Sequence, residues 1–218
     1  MTKKILLEIS VESVDAAAAA KRGGADRIEL CADLSAGGLT PDAALIRAVR
    51  QQIQIPIFVM IRPRAGDFVY SSSEFAQMKK SVAAAKDSGA SGLVFGILKA
   101  DRFVDIDRTR ELVELAQPLP VTFHRAFDAC PDLAQALRGV LRSGASRILT
   151  SGGAASAPEG TDNFSDACCG GQQTRHGCSR IGHQCGEYFA ACRGYTSAGV
   201  SFRLEQRAPP AHGGLRTV

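Results

Sequence analysis

The first 152 residues alternate between strand-like and helix-like segments, and this alternation limits the fold more than any other feature of the sequence. Six short apolar runs predict strands at residues 5–10, 27–32, 56–61, 93–98, 120–127 and 147–151. Helical periodicity between them predicts five helices at residues 11–22, 40–53, 71–88, 106–116 and 133–142. Strands that alternate with helices indicate a parallel sheet with right-handed crossovers.

Two parallel architectures satisfy this pattern, a β/α barrel and an open doubly wound sheet. A nucleotide-binding doubly wound sheet carries a Gly-rich phosphate turn after its first strand, whereas this chain has Ser-Val-Glu-Ser at residues 10–13. A length of 218 residues also suits a single barrel. We therefore predict a TIM-type β/α barrel over residues 1–160 that is incomplete, with about six recognisable β/α units.

Local signals predict where some helices begin and end. Thr40 is a suitable N-cap for the second helix, because Pro41 then occupies the first helical position. Gly89 and Gly144 are expected to terminate the third and fifth helices, since glycine is common just after a helix.

The alternating pattern stops after Gly153. Residues 161–218 contain only five aliphatic side chains of the Ile, Leu, Val and Met type, and no lysine follows Lys99. Five scattered aliphatic residues cannot supply a helix face and two buried parallel strands. We predict an irregular tail over residues 161–218, without regular packed structure, and consequently a polypeptide of marginal stability.

The tail also holds most of the cysteine, at positions Cys168, Cys169, Cys178, Cys185 and Cys192. A metal-binding tail is one interpretation of this enrichment. However, the spacings match no zinc pattern built from paired Cys-x-x-Cys or His-x-x-x-His groups.

Composition excludes several classes of function. The net charge of +4 is mild, and the basic residues of the barrel region are dispersed, so we expect no nucleic-acid partner and no anionic membrane surface. No segment approaches the ~20 apolar residues of a membrane span. The N-terminal apolar run stops at Glu8, too early for a signal peptide. We expect a cytoplasmic protein with reduced cysteines.

Side chains alternate between the two faces of a strand, which predicts the contents of the barrel interior. Apolar residues suit the helix-facing side, so the polar set should point inward; its members are Glu8, Ser10, Arg27, Glu29, Cys31, Arg62 and His124. A buried carboxylate is costly unless it is paired, so Glu8 and Glu29 should meet Arg27, Arg62 or Arg64. These residues could form a structural network, line a pocket at the C-terminal strand ends, or do both.

Three of the inward-facing residues are candidate ligands for copper. The thiolate of Cys31, the imidazole of His124 and the thioether of Met60 are soft or borderline donors that suit Cu(I). A lone cysteine is also often a small buried hydrophobic residue, and that alternative stays open. Cys130 precedes a helix and is expected to be inert, while Asp67, Phe68 and Tyr70 are expected to cap the pocket mouth.

Several motifs resemble the CutC family, in the family's order and with similar spacing, across residues 4–153. They occupy residues 6–9, 24–31, 37–41, 61–70, 122–128 and 148–152. The resemblance implies a cytoplasmic β/α barrel with the family's label of copper binding and copper homeostasis. It also implies that the signature positions are Glu8, Arg27, Glu29, Cys31, Arg62, Arg64, His124, Arg125 and Asp128.

The departure from the family after residue 153 has one specific explanation, translation out of frame. With permitted codon choices, a forward shift of one nucleotide lets residues 162–189 encode a helix, a buried strand, a Gly-rich turn and an Asn. That is the element order with which the family continues. Reading the gene across residues 150–170 tests the hypothesis, because a shift that yields no barrel-like continuation excludes it.

Three functions remain open at this level. The first is a copper homeostasis protein that binds Cu(I) through Cys31, with His124 and Met60 as further ligands. The second is an enzyme that acts on a small anionic metabolite, with a carboxylate or His124 as acid or base and Arg62 and Arg64 clamping the anion. The third is a non-functional truncated product. The partner is thus a copper ion or a small anion, and a homo-oligomer is compatible with the sequence.

Overall fold

A computed structural model describes residues 6–160 and the backbone of residues 200–201. Its strands are β1 Glu8–Val11, β2 Arg27–Leu30, β3 Ile57–Met60, β4 Gly92–Phe95, β5 Val121–Phe123, β6 Arg147–Ile148 and β7 Val200–Ser201. Its helices are α1 Val14–Arg22, α2 Ala43–Gln52, α3 Ser72–Asp87, α4 Ile106–Ala116 and α5 Leu133–Ser143. Two 3₁₀ turns lie at Leu34–Ala36 and Arg125–Ala129.

The first six strands lie in the sheet in the order of the chain, each parallel to the next. A doubly wound sheet reverses its strand order part-way, because helices cover both of its faces. Here each helix packs against its neighbour in sequence, α1 on α2 through α4 on α5. The six units therefore form a curled half-barrel, which confirms the prediction of an incomplete β/α barrel.

The remaining strand, β7, runs antiparallel to β1, with Ser201 opposite Glu8 and Val200 opposite Ile9. A closed β/α barrel has a parallel strand at this edge. The tail predicted to be irregular thus contributes one short strand. The rest of the 161–218 prediction, including translation out of frame and the five tail cysteines, lies outside the described residues.

The two faces of the sheet are packed differently. On the outer face, apolar strand residues such as Ile28, Val59 and Phe123 belong to the main core beneath the helices. On the inner face a separate small cluster contains Cys31, Phe58, Met60 and Val94. This segregation confirms that alternate strand positions divide between the helix layer and the barrel interior.

The structure corrects the start of α2 and the end of β5. Asp42 is the N-cap of α2, with Oδ1 accepting from Leu45 N at 2.7 Å, so the prediction of Thr40 was wrong. Thr40 Oγ1 instead accepts from Arg62 N at 2.8 Å. A threonine hydroxyl can bond a backbone N–H of a neighbouring loop as well as one of a helix start. The fifth strand ends at Phe123 because a 3₁₀ turn follows His124. The helix end at Gly144 is as predicted.

No helix within residues 6–160 combines the length and the apolar character needed to cross a lipid bilayer. The longest of them, α3, has 16 residues and carries charged side chains on its exposed surface. A bilayer-spanning helix needs about 20 residues that are mostly apolar.

Candidate functional site

The inner face of the half-barrel carries most of the polar residues chosen from the sequence. The strand register sets Glu8 opposite Arg27 and Ser10 opposite Glu29. Seven inner-face residues are buried, none more than 6% exposed: Glu8, Arg27, Glu29, Cys31, Met60, Arg62 and His124. The structure thus buries these seven on the same side of the sheet, and leaves Arg64, Arg125 and Asp128 in the loops beyond the strand ends.

Glu8 and Arg27 form a buried ion pair on the inner face, at the starts of β1 and β2. Arg27 Nε donates to Glu8 Oε2, and the two side chains are 4% and 1% exposed for Arg27 and Glu8 respectively. The attraction between these two opposite charges offsets much of the cost of burying both side chains. The expectation that Glu8 meets Arg27 is therefore confirmed.

Glu29 sits nearer the C-terminal end of β2 and contacts two neutral groups. Its Oε1 accepts from Ser10 Oγ at 3.2 Å and from Cys31 Sγ at 3.7 Å. The Cys31 thiol thus lies between a carboxylate and the apolar inner cluster, fully buried.

A glycine in the loop after β2 makes room for the Cys31 and Met60 side chains. Gly38 has a φ of 84°, a left-handed conformation that side-chain-bearing residues adopt at a cost. A Cβ at this position would lie 3.0 Å from Cys31 Sγ and 3.6 Å from Met60 Cε. The thiol and the thioether methyl are therefore neighbours directly beneath this loop.

Arg62 binds loop backbone rather than a carboxylate. Nη1 donates to the carbonyls of Ala36 and Gly38 at 3.0 and 3.3 Å, and Nη2 donates to Gly66 O at 2.9 Å. Its guanidinium also lies 5.1 Å from the centre of the Phe68 ring. Arg62 joins the loop after β2 to the loop after β3, and this use of its donors weighs against an anion clamp.

Arg64 has a similar structural role at the surface. It pairs with Glu74 at 2.6 Å and Asp67 at 2.8 Å, and it donates to Val69 O at 2.8 Å. The Arg64 guanidinium holds the pKa of Asp67 below its usual value, whereas the pKa of Glu74 is lowered chiefly by the Ser71 backbone N–H. With Arg64 directed into this loop, the clamp expected of Arg62 and Arg64 together has no geometric support.

His124 is held in one tautomer by its own backbone. Nδ1 accepts from Ala126 N at 3.2 Å, which requires the lone pair of Nδ1 and leaves the proton on Nε2. A metal bound at Nε2 would need the proton on Nδ1, facing the Ala126 N–H. The ring also packs 4.9 Å from the centre of the Phe68 ring. These contacts weigh against His124 as a copper ligand.

Arg125 and Asp128 organise the chain after β6. Asp128 accepts from Ser151 N at 3.0 Å, from Gly153 N at 2.9 Å and from Thr150 Oγ1 at 2.5 Å. Arg125 donates to Asp128 at 2.9 Å and to Ser151 Oγ at 2.6 Å. These two signature positions therefore fix a loop at the C-terminal end of the half-barrel.

Comparison with known proteins shows to which family the chain belongs. The CutC family profile matches residues 5–169. The chain belongs to the CutC family. Among curated relatives, the human copper homeostasis protein cutC homolog is 52% identical over 155 residues, which cover 71% of this chain and 57% of the human protein. A CutC family protein of Mesorhizobium japonicum is 48% identical over 165 residues, covering 76% of this chain and 64% of that protein.

Solved structures agree with this assignment. The CutC protein of Streptococcus agalactiae superposes with a TM-score of 0.71 and 30% identity, over 75% of this chain and 81% of that one. A phosphoenolpyruvate phosphomutase from Streptomyces platensis subsp. rosaceus gives a TM-score of 0.55 at 14% identity, over 75% of this chain and 65% of that one. At that identity the second likeness concerns the fold alone. This CutC family chain spans less than two thirds of the length of the curated relatives named above.

Within residues 6–160 no group of three or more His, Cys, Asp and Glu side chains is arranged to hold a metal ion. A site for zinc or Cu(II) built from these donors would need such a group. Of the soft donors, Cys31 and Met60 belong to the same buried cluster of the inner face.

Sequence reasoning missed one buried residue of the inner face, Arg147, and did not predict the burial of Tyr70 at its rim. Arg147 is 1% exposed at the start of β6, and Tyr70 is 4% exposed after β3. The alternation rule could have found Arg147, because it shares a face with Ser151 on the same predicted strand. Tyr70 was expected to cap the pocket mouth, but no pattern in the sequence indicates its burial.

The burial of Tyr70 should make the stability of the protein fall at alkaline pH. Burial raises the pKa of Tyr70 from 10.0 to about 12, against the opposing charge of Arg62. Between these two pH values the unfolded chain releases the phenol proton while the folded protein retains it, so stability falls as pH rises. The free energy of unfolding should drop by about 1.4 kcal/mol per pH unit in that window and be unaffected below it.

Urea unfolding of the wild type and Tyr70→Phe across that pH range measures this effect. Burial also raises the pKa of Cys130, to about 11, but that contribution is common to both proteins and cancels in their difference. We expect the free energy of unfolding of Tyr70→Phe to increase relative to that of the wild type as pH rises. Parallel stability curves would contradict the assignment.

Proposed function

We propose that this chain acts in copper homeostasis in the cytoplasm by binding one Cu(I) ion between the Cys31 thiolate and the Met60 thioether. Membership of the CutC family supports the copper context. The observation that carries the proposal is that two sulfur-bearing side chains belong to one buried cluster at the C-terminal ends of β2 and β3, and that both lie against Gly38. A reducing compartment keeps such a thiol available.

The donor chemistry favours Cu(I) over other ions. Thiolate and thioether sulfur are soft ligands that select Cu(I), whereas carboxylate and carbonyl oxygen suit harder cations. Two sulfur donors suit an ion that accepts few ligands, unlike zinc with its usual four. The apolar neighbours Phe58 and Val94 exclude water from the sulfur pair and so disfavour oxidation to Cu(II).

Glu29 is the residue positioned to handle the thiol proton. The thiolate, not the thiol, is the metal ligand, so binding must release a proton from Cys31. Glu29 Oε1 already accepts the S–H at 3.7 Å, and its second contact with Ser10 Oγ holds the carboxylate in place. Cu(I) affinity is therefore expected to rise with pH as protons become less available.

Anaerobic Cu(I) titration against a chromophoric chelator tests the proposal. The background is the full chain with all five tail cysteines changed to serine, so that they do not compete for the ion. Cys31→Ser should lower affinity by more than about 100-fold, beyond the 10–100-fold typical of outer-shell changes, and Met60→Leu by about 10–100-fold.

Cys130→Ser is the matched control. Cys130 is buried as Cys31 is, but it lies in the main core, and burial raises the pKa of its thiol to about 11. We expect this variant to bind Cu(I) like its parent. Unchanged affinity in Cys31→Ser, or an equal loss in both cysteine variants, would refute the Cys31–Met60 site.

A further inference from the structure

The loop after β2 covers the Cys31–Met60 pair. Its residues 33–38, which we call the lid, end at Gly38, the residue that lies directly against Cys31 Sγ and Met60 Cε. Beneath the lid the Cys31 side chain is 0% exposed and that of Met60 is 4% exposed. An ion reaches a thiol buried in this way only when a covering segment moves aside.

Hydrogen bonds within the loop give the lid a shape of its own. Asp33 O accepts from Gly38 N at 3.0 Å, and Asp33 Oδ1 accepts from Ala36 N at 3.1 Å. At its base, Ala32 N donates to Leu39 O at 2.9 Å and Leu39 N donates to Ala32 O at 2.6 Å. The lid can therefore move as one unit about this base.

Polar contacts hold the lid against the rest of the molecule. Arg62 Nη1 donates to the carbonyls of Ala36 and Gly38, and Glu12 Oε2 accepts from Leu34 N at 2.9 Å. Leu34 itself is 36% exposed. Within the part of the chain that the structure describes, neither apolar cluster contains a side chain of the lid. Segments with few buried apolar contacts open at low cost, so these polar contacts determine how often the lid opens.

Arg62 provides the stronger of the two attachments. Its guanidinium is fixed in the loop after β3, because Nη2 donates to Gly66 O and the Phe68 ring lies beside it. The side chain is 6% exposed, in surroundings where a hydrogen bond from a charged donor is strong. Glu12 is exposed, so its hydrogen bond to the lid competes with water.

We propose that the lid opens as a unit to admit Cu(I) to Cys31 and Met60, and that Arg62 is the positioning residue that holds it closed. The purpose of this motion rests on the copper function proposed above. The motion itself belongs to the chain and does not require copper. Arg62 thus acts on the rate of access to the sulfur pair, through the two lid carbonyls that it binds.

Alkylation of Cys31 by iodoacetamide measures lid opening without copper. The background is the full chain with all five tail cysteines changed to serine, and mass spectrometry of quenched samples follows Cys31 and Cys130 separately. Cys130 lies in the main core, so its alkylation reports unfolding of the whole half-barrel. Arg62→Met should speed the alkylation of Cys31 by about tenfold or more relative to Cys130, as expected for loss of hydrogen bonds from a charged donor.

Two further variants make the result specific. Glu12→Ala removes the other attachment from an exposed position, which leaves the interior undisturbed, and should speed Cys31 alkylation by about two- to tenfold. Arg108→Met is the matched control, because Arg108 donates to the carbonyl of Tyr70 at 2.6 Å, outside the lid. It should leave the rate at Cys31 unchanged.

Equal acceleration of both cysteines in Arg62→Met, or an unchanged ratio of their rates, would overturn the role of Arg62. If Arg62→Met does not fold, Glu12→Ala decides, and an unchanged ratio there overturns the lid. Transfer of Cu(I) from the chelator should be faster in Arg62→Met by a factor similar to that for alkylation. A chain that binds no Cu(I) yet shows selective alkylation would refute the copper site and leave the lid motion standing, so the two failures are distinguishable.

Discussion

Replacing Glu8 by Gln is expected to lower the free energy of unfolding by about 3–5 kcal/mol, a large share of the stability of a domain of this size. The reason is that Arg27 remains in the interior with a positive charge whose carboxylate partner has been removed. Breaking a buried pair costs far more than the pair itself contributes, because the remaining ion cannot regain its hydration. Denaturant unfolding followed by circular dichroism measures the change.

Two further variants make this result specific. Lys79→Ala breaks the Lys79–Glu111 pair, whose side chains are 39% and 48% exposed, and should cost about 1 kcal/mol or less. The double variant Glu8→Met with Arg27→Met should recover most of the loss, since apolar residues of similar volume often replace a buried ion pair at little cost. If Glu8→Gln lowers the free energy of unfolding no more than Lys79→Ala does, breaking the buried pair costs no more than breaking an exposed one.

Gly92→Ala should also be strongly destabilising, although it adds a single methyl group. Gly92 lies on the inner face of β4 opposite Phe58, and a Cβ there would overlap the ring, with Phe58 Cδ1 and Cζ both 2.5 Å away. The ring cannot simply move aside because Arg147 stacks against it. Overpacking of this kind costs about 1–3 kcal/mol and sometimes more, and thermal or urea unfolding measures it.

The control for this substitution is Gly23→Ala at the end of α1. A Cβ at Gly23 would meet its nearest neighbours at 3.4 and 3.5 Å, and its φ of −74° suits any residue. That change should be neutral, or stabilising by up to about 1 kcal/mol. Adding Phe58→Leu to Gly92→Ala should restore part of the lost stability. If Phe58→Leu lowers the free energy of unfolding of Gly92→Ala further, the Phe58 ring is not the source of the strain.

The fold could be predicted from the sequence because two patterns, the alternation of strands with helices and the alternation of side chains along each strand, both indicate a β/α barrel. Alternation of strands and helices fixed the parallel sheet, and alternation of side chains along β2 separated Ile28 from Glu29. Helix boundaries were less predictable, as Thr40 shows. Thr40, Pro41 and Asp42 are all acceptable near a helix start, and only the position of the β3 loop determines which oxygen caps the helix.

The site could be predicted only in part, since sequence indicates which face a side chain occupies but not which atoms it meets. Arg62 was placed correctly in the interior, yet its partners are carbonyl oxygens, which carry no sequence signal. For His124 the decisive contact is likewise with the backbone, at Ala126 N. Whether Cys31, His124 and Met60 bind copper stays a prediction, and the geometry favours the two sulfur residues among them.

The chain-order arrangement of the sheet has a consequence for how the protein is made. Every strand from β2 to β6 finds its partner in the segment that left the ribosome just before it. Each pairing spans only the one helix between two successive strands, so the half-barrel can grow by addition at one edge during synthesis. Each unit after the first can therefore pair with its predecessor before the following unit has been synthesised.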